Sequence, residues 1–447
     1  MSTPRHGCDE TPHFLISLFF SFFLLRSPCA ASLGALYATD LALKAVFTAQ
    51  GWSFPAPLAG MFIIFGTLCG LTALKPTVAQ AAVDAVRPGL DWIAKWLPLF
   101  YLPTLVVTPI AVTVIPPDAI SKILAVVVLG TVVSLVMTAQ AAVWIRTLTK
   151  TETKPIQVLK SDGKKSPYNR NHWVAWGAVA AVSFVFTLVF KSSPAAAPPA
   201  AFMLACTILG HLVGNAWMPA NVKAILHPII TTVLVTETGA AVLAAATGTS
   251  IMSILKMYLA KGTGPMGAGD LLMSFLGCVI LSFGFRVYEQ RAVLRRHAAE
   301  IAGSALFTSL FSLFSTAGLA KALGLTPALA LALAPRSVTV ALAIPIAQQL
   351  GVADIGISIA ATAVLLTGLV GANVAQLVLD RFRYTDPIVR GLATAGASHG
   401  LGTAALAAKE PEALPYCALG YALTGIVSTL LVCVPAIRTA LLAVAGI

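Results

Sequence analysis

Uncharged apolar stretches of bilayer-spanning length recur along this chain and constrain its fold more tightly than any other feature. Ile123 to Ile145 and Trp173 to Phe190, for example, contain no charged side chain. A helix crosses the hydrocarbon core with about 20 apolar residues, whereas a barrel strand alternates apolar and polar positions over about ten. Runs of the first kind dictate an all-α, polytopic membrane helix bundle, since a helix pairs its backbone groups within the segment. Composition agrees, with 58% of the 447 residues hydrophobic and 10% charged, against about 25% charged in a soluble domain. Soluble enzymes, disordered scaffolds and disulfide-stapled secreted modules are excluded on these grounds.

Twenty-nine Lys plus Arg against 17 Asp plus Glu leave a net charge of +12. The basic residues gather in short connections, as the positive-inside rule describes, and form no basic face interleaved with aromatics. The partner implied is therefore a lipid bilayer and not a nucleic acid. Seven cysteines, most of them inside apolar runs, show no CxxC or Cys/His spacing, so no metal site and no cofactor is expected.

Residues 1–30 read as a targeting or signal-like segment. Polar Met1 to His13 precede apolar Phe14 to Leu25 and then Arg26-Ser-Pro-Cys-Ala30, a run too short to span; an interfacial helix is the alternative. Residues 31–146 hold four candidate spans, at Ala31 to Ala49, Pro55 to Leu74, Trp96 to Pro117 and Ile123 to Ile145. A basic linker over 147–172 follows, and residues 173–447 form a second module of nine segments. The total is about 12–13 spans. Some are irregular: Ala322 to Leu350 contains Pro327, Pro335 and Pro345, and Gly391 to Ala408 is rich in glycine. Interrupted spans are where transporters expose backbone groups to a substrate. No internal sequence repeat is evident.

Charge tests the topology. The loops at Arg286 to His297 and Arg381 to Arg390 are both basic and belong on the linker side. Four segments separate the linker from the first loop, which fits, but three separate the two loops, which does not. Parity returns if Ala322 to Leu350 enters and leaves by one face, with Arg336 near the tip of a re-entrant turn.

Arg336 is the only charge between Ala322 and Ala353, and an unpaired charge in hydrocarbon costs several kcal/mol. Flanked by Pro335, Ser337 and Thr339, it is positioned to hold a carboxylate, or else to pair with Glu237. Glu237, the only acid between Ala224 and Ser250, is a candidate for proton coupling. His399 lies in Ser398-His-Gly400-Leu-Gly402-Thr403, where glycines let backbone N–H groups approach an anion and a histidine donates a hydrogen bond or carries a proton. Asn373, His211 and Asn215 are weaker polar candidates. Gly262-Thr-Gly-Pro-Met-Gly267 fits a dinucleotide fingerprint in letters only, since no strand precedes it. No GxSxG elbow and no Walker A motif occur, so no catalytic residue is assigned and ATP-driven pumping by this chain is ruled out.

Ala334-Pro-Arg-Ser-Val-Thr-Val340, Tyr384-Thr-Asp-Pro-Ile-Val-Arg-Gly391 and Ala397-Ser-His-Gly-Leu-Gly-Thr-Ala404 resemble the signature stretches of the LrgB (CidB) family. The first module, with Phe54-Pro-Ala-Pro-Leu-Ala-Gly60 and Trp96-Leu-Pro-Leu-Phe-Tyr-Leu-Pro103, resembles the LrgA (CidA) family. Their fusion, together with Gly267-Ala-Gly-Asp270 and Ala408-Lys-Glu-Pro-Glu-Ala-Leu-Pro415, is similar to the glycolate/glycerate translocators of plant and algal plastids. The resemblance implies exchange or proton-coupled transport of glycolate and glycerate across the plastid inner envelope in photorespiration. It implies no enzymatic activity. Both substrates are small 2-hydroxy monocarboxylates, which suits an arginine among hydroxyl and backbone donors.

The expected site joins Arg336, Ser337, Thr339, Asn373, Ser398, His399, Gly400, Gly402 and Thr403, with Glu237 or His399 coupling a proton. The first module is expected to be accessory or to support a homo-oligomer. The competing reading is a holin-like protein of a bacterial-type plasma membrane that regulates murein hydrolases, which needs no selective pocket.

Overall fold

A computed structural model of the chain describes residues 27–52, 54–151, 168–189, 197–219, 222 and 227–447. The expected leader run Phe14 to Leu25 and most of the basic linker lie outside the described residues. Helix dominates, and no strand occurs among the described residues. Among the described residues eleven helices are long and apolar enough to cross a membrane.

The chain runs through α1 (Ser27–Ala49), α2 (Ala56–Leu74), α3 (Pro76–Trp96), α4 (Leu102–Val106), α5 (Thr108–Val112), α6 (Pro117–Thr149), α7 (Arg170–Val189), α8 (Ala197–Leu212), α9 (Pro228–Thr247) and α10 (Ile251–Tyr258). It continues through α11 (Ala268–Ser274), α12 (Leu276–Glu289), α13 (Arg291–Arg296), α14 (Ala298–Ala322), α15 (Pro327–Leu333), α16 (Val340–Gln349), α17 (Asp354–Arg381), α18 (Pro387–Lys409), α19 (Leu414–Cys433) and α20 (Pro435–Ala445). Prolines in the first turn open α2, α6, α9, α15 and α18, where the missing N–H is not needed. The third span is longer than the expected Trp96 to Pro117. It covers Pro76–Val112, because amphipathic α3 leads straight into the apolar stretch. Pro98 and Pro103 break that stretch into a 3₁₀ turn and two short helices.

Packing divides the chain into two compact units. One draws on Met1–Ala38, Ala82–Ile110 and Asp162–Cys278, the other on Thr39–Ala81, Ala111–Ser161 and Val279–Ile447. In the first, α8 packs between α7 and α9. The loop before α11 is closed by Asp270, whose carboxylate accepts the N–H groups of Ala260, Lys261 and Gly267, each at 2.9 Å. The glycines of the false dinucleotide fingerprint therefore belong to an acid-capped turn.

The second unit contains two helical hairpins. An ideal Cβ on Gly356, at the start of α17, would sit 3.9 Å from Cβ of Ala332 in α15. The path from α15 through the non-helical corner 334–339 and back along α16 therefore returns to the end it left. Ala322 to Leu350 is re-entrant, as the charge parity required, with Arg336 in its tip. The second hairpin is α18 itself. His399, at φ 41° and ψ −138°, breaks the helix. Beyond it Leu406 packs with Ala395 in one apolar cluster, and Glu410 meets Arg390 at 2.6 Å. A straight helix would hold residues 390 and 410 about 30 Å apart. The sequence treated Gly391 to Ala408 as a crossing; it is a second re-entrant segment, so among the described residues the thirteen sequence segments correspond to eleven candidate spans and two hairpins.

The hairpins enter from opposite ends of the unit. At one end Arg146 of α6 reaches Asp386 at 2.8 Å and Glu300 of α14 at 3.6 Å, beside the base of α18. At the other, where α14 ends and α15 begins, a Cβ on Gly324 would lie 3.9 Å from Nζ of Lys122.

Candidate functional site

Both hairpin tips meet one polar seam between α6 and α14. Along α14 the side chains of Ser304, Thr308, Ser312 and Thr316 recur every four residues and are all buried, which puts them on one face. On α6 the buried Thr131, Ser134 and Thr138, spaced three and then four residues apart, likewise share a face. Small hydroxyl residues let membrane helices approach closely and pair across the contact, and Thr138 meets Thr308 at 3.0 Å.

Arg336 is 0% exposed. Its Nε donates to Thr316 at 3.0 Å and its Nη2 to Ser134 at 3.0 Å, and Ser337 bonds Ser312. Nη1 has no hydrogen-bond partner, and no carboxylate stands within ion-pair distance of the guanidinium, among the described residues. The expected alternative, pairing with Glu237, is replaced by hydroxyl contacts. Thr339 caps the start of α16 without a side-chain bond and is half-buried. A full positive charge thus sits in a helix bundle held only by neutral oxygens, an arrangement that leaves its charge uncompensated.

The α18 tip reaches the same seam about one turn of α6 further on. A Cβ on Gly396 would lie 2.6 Å from Thr308 Cγ2 and 3.1 Å from Thr138 Oγ1, and Thr138 follows Ser134 by about 6 Å of helix. Ser398 is buried and donates to the Thr394 carbonyl at 2.7 Å. His399 donates from Nε2 to the Val364 carbonyl at 2.9 Å, which orients the ring. Thr403 returns a bond to the His399 carbonyl at 3.0 Å and touches Cys417. Gly402 packs against Ser398, and Gly400 faces open space. The hydroxyls of Thr394 and Thr367 are buried without a partner among the described residues.

The structure therefore places Arg336 and Ser337 on one hairpin tip and Ser398, His399, Gly402 and Thr403 at the turn of the other, both hairpins touching the α6–α14 seam. Asn373 is not brought there; it is exposed and bonds the Leu369 carbonyl of its own helix at 2.8 Å. Glu237 is half-buried on α9, within the first unit. His211 and Asn215, also in that unit, join an aromatic cluster. His211 lies 2.9 Å from the Tyr168 hydroxyl and 3.1 Å from Asn215, Trp96 packs on both rings, and burial pushes the Tyr168 hydroxyl up to about 12. No group of three or more His, Cys, Asp and Glu among the described residues is placed to hold a metal ion.

Sequence reasoning missed Ser134, Thr138, Thr308, Ser312 and Thr316. Their signal was present as hydroxyls repeating at helical spacing inside apolar runs. What the sequence could not supply was the contact between Ser134 and Arg336, 202 residues apart. That contact brings a helix of the supposedly accessory first module against Arg336.

Residues 207–437 match the LrgB-like family. The chain is 43% identical over 417 residues, 93% of its length and 80% of the relative, to plastidal glycolate/glycerate translocator 1, chloroplastic, of Arabidopsis thaliana. It is 25% identical to the holin-like protein CidB of Staphylococcus aureus (strain Mu50 / ATCC 700699), over 41% of this chain and 78% of that one. An uncharacterized protein, YwbG, of Bacillus subtilis (strain 168) is 33% identical over 30% of this chain and 59% of that one. No solved structure matches.

Proposed function

The chain belongs to the LrgB-like family, and from that premise we propose that it is a secondary translocator of glycolate and glycerate in a plastid membrane, the inner envelope by our reading. One observation carries the assignment of the site. Arg336, wholly buried at a hairpin tip, is held by two hydroxyls and keeps Nη1 unpartnered among the described residues.

A substrate carboxylate supplies what the guanidinium lacks. Charge-assisted hydrogen bonds from Arg are its strongest contacts, and the low dielectric of the bundle strengthens them further. Ser312, Thr138 and Thr308, one to two turns along the seam, would offer hydroxyl groups to the hydroxyls that distinguish 2-hydroxy acids from plain carboxylates. His399 and Ser398 would close the far side. A hairpin tip that withdraws opens the site to its own end, and because the two hairpins enter from opposite ends, alternate withdrawal gives alternating access. Proton coupling through His399 or Glu237 is the weaker part of this proposal.

Reconstituted in liposomes, the chain should take up labelled glycolate saturably and faster when glycerate is trapped inside. Flux that neither saturates nor responds to the trapped acid would overturn the translocator reading. The similarity to CidB keeps a holin-like role as the second reading, and such a protein would release solutes of unrelated chemistry at comparable rates.

A further inference from the structure

Away from the hairpin tips, the second unit carries a cavity of about 900 Å³ where α2 meets the α12–α13 elbow. Its walls combine two chemistries. Phe65, Cys69 and Thr72 come from the C-terminal half of α2, a candidate span; Arg291, Arg295 and Arg296 come from α13, immediately beyond the span that ends at Glu289. None of the residues lining it is acidic.

We propose that this cavity binds a lipid with an anionic headgroup, its phosphate at the arginines and an acyl chain along α2. The geometry follows the order of chemistry in a bilayer leaflet. From Thr72, which meets Tyr288 at the end of the span, to Phe65 the wall descends about 10 Å along the helix into the apolar layer, while the guanidiniums lie where a span gives way to water. The basic loop belongs on the positive side of the membrane, and basic side chains at that level attract anionic lipids.

Part of the site is already fixed. Arg291 donates from Nη1 to the Tyr288 carbonyl at 3.0 Å, and its guanidinium lies 4.1 Å from the Tyr288 ring centroid. The Tyr288 hydroxyl in turn meets Thr72 at 2.6 Å. This chain ties the cationic rim to the apolar wall, so little side-chain freedom remains to be lost on binding. A free phosphate would have no use for the deeper apolar wall, and a zwitterionic lipid would waste the arginines.

The test is thermal melting of the detergent-solubilised full chain with dioctanoyl phosphatidylglycerol, dioctanoyl phosphatidylcholine or glycerol phosphate. The phosphatidylglycerol should raise Tm by about 3 °C near saturation, and the other two by less than about 1 °C. The shift should vanish in the triple variant R291Q/R295Q/R296Q and persist in Lys321→Gln, an exposed cation that does not line the cavity. An equal rise with phosphatidylcholine would reduce the cavity to a neutral groove, and an equal rise with glycerol phosphate would make it a soluble-anion site; either result overturns the proposal, as does no shift at all. Should the triple variant fail to fold, Arg295→Gln decides. Arg295 is exposed and takes no part in the Tyr288 contacts, and an undiminished shift in that variant also overturns the proposal.

Discussion

A Cβ on Gly130 would lie 2.5 Å from Nη2 of Arg336 and 2.7 Å from its Cζ, so the α6 backbone and the guanidinium are in direct contact. Gly130→Ala must therefore push aside an arginine that Thr316 and Ser134 hold in place. Overpacking of this kind costs about 1–3 kcal/mol. The displaced guanidinium should raise the KM for glycolate roughly tenfold in a liposome uptake assay. An unchanged KM would mean that Arg336 does not meet the substrate from this position.

Arg336→Met separates binding from structure. Methionine fills similar volume without charge, and replacing an uncompensated buried ion by an apolar residue is often neutral or stabilising. Transport should fall roughly 10- to 100-fold, the worth of a hydrogen bond to a charged group, while Tm stays level or rises. A large drop in Tm with residual flux intact would assign the arginine to packing.

How far the sequence revealed this site depends on what kind of signal each part leaves. The α15–α16 hairpin was legible because Pro327, Pro335 and Pro345 interrupt it and because two basic loops must share a face. The α18 hairpin was not. Its glycines announced irregularity, but the reversal falls on His399 at φ 41° and ψ −138°, a conformation that residues with a Cβ seldom adopt, and no charge count exposed it. The signature acids and bases of that region also read differently in three dimensions. Asp386 caps α18 by accepting from Ile388 at 2.8 Å, and Arg390 locks the base of the hairpin. The hydroxyl stripe on α14 was legible by period alone, while its pairing with α6 is tertiary and leaves no local trace.

That lock yields a graded prediction. Arg390 bonds Glu410, whose side chain is 16% exposed, and Asp380, 65% exposed, at 2.7 Å. Solvent screens the second pair far more than the first. Glu410→Gln should cost about 2 kcal/mol of stability in denaturant titration and Asp380→Asn less than about 1 kcal/mol. Equal losses would show that the hairpin base is not closed through Glu410.

His399 allows the reversal itself to be tested, because glycine and alanine rank oppositely in the two conformations at issue. In a continuous helix, alanine is preferred to glycine by about 1 kcal/mol. At φ 41° and ψ −138° the Cβ is strained and glycine is the default residue, with a difference of similar size in the other direction. Both substitutions remove the same hydrogen bond to the Val364 carbonyl, so that loss cancels in the comparison. His399→Gly should therefore melt several degrees above His399→Ala. The opposite order would mean that α18 runs through position 399 as a helix, which would return it to a simple crossing and take His399 out of the hairpin tip.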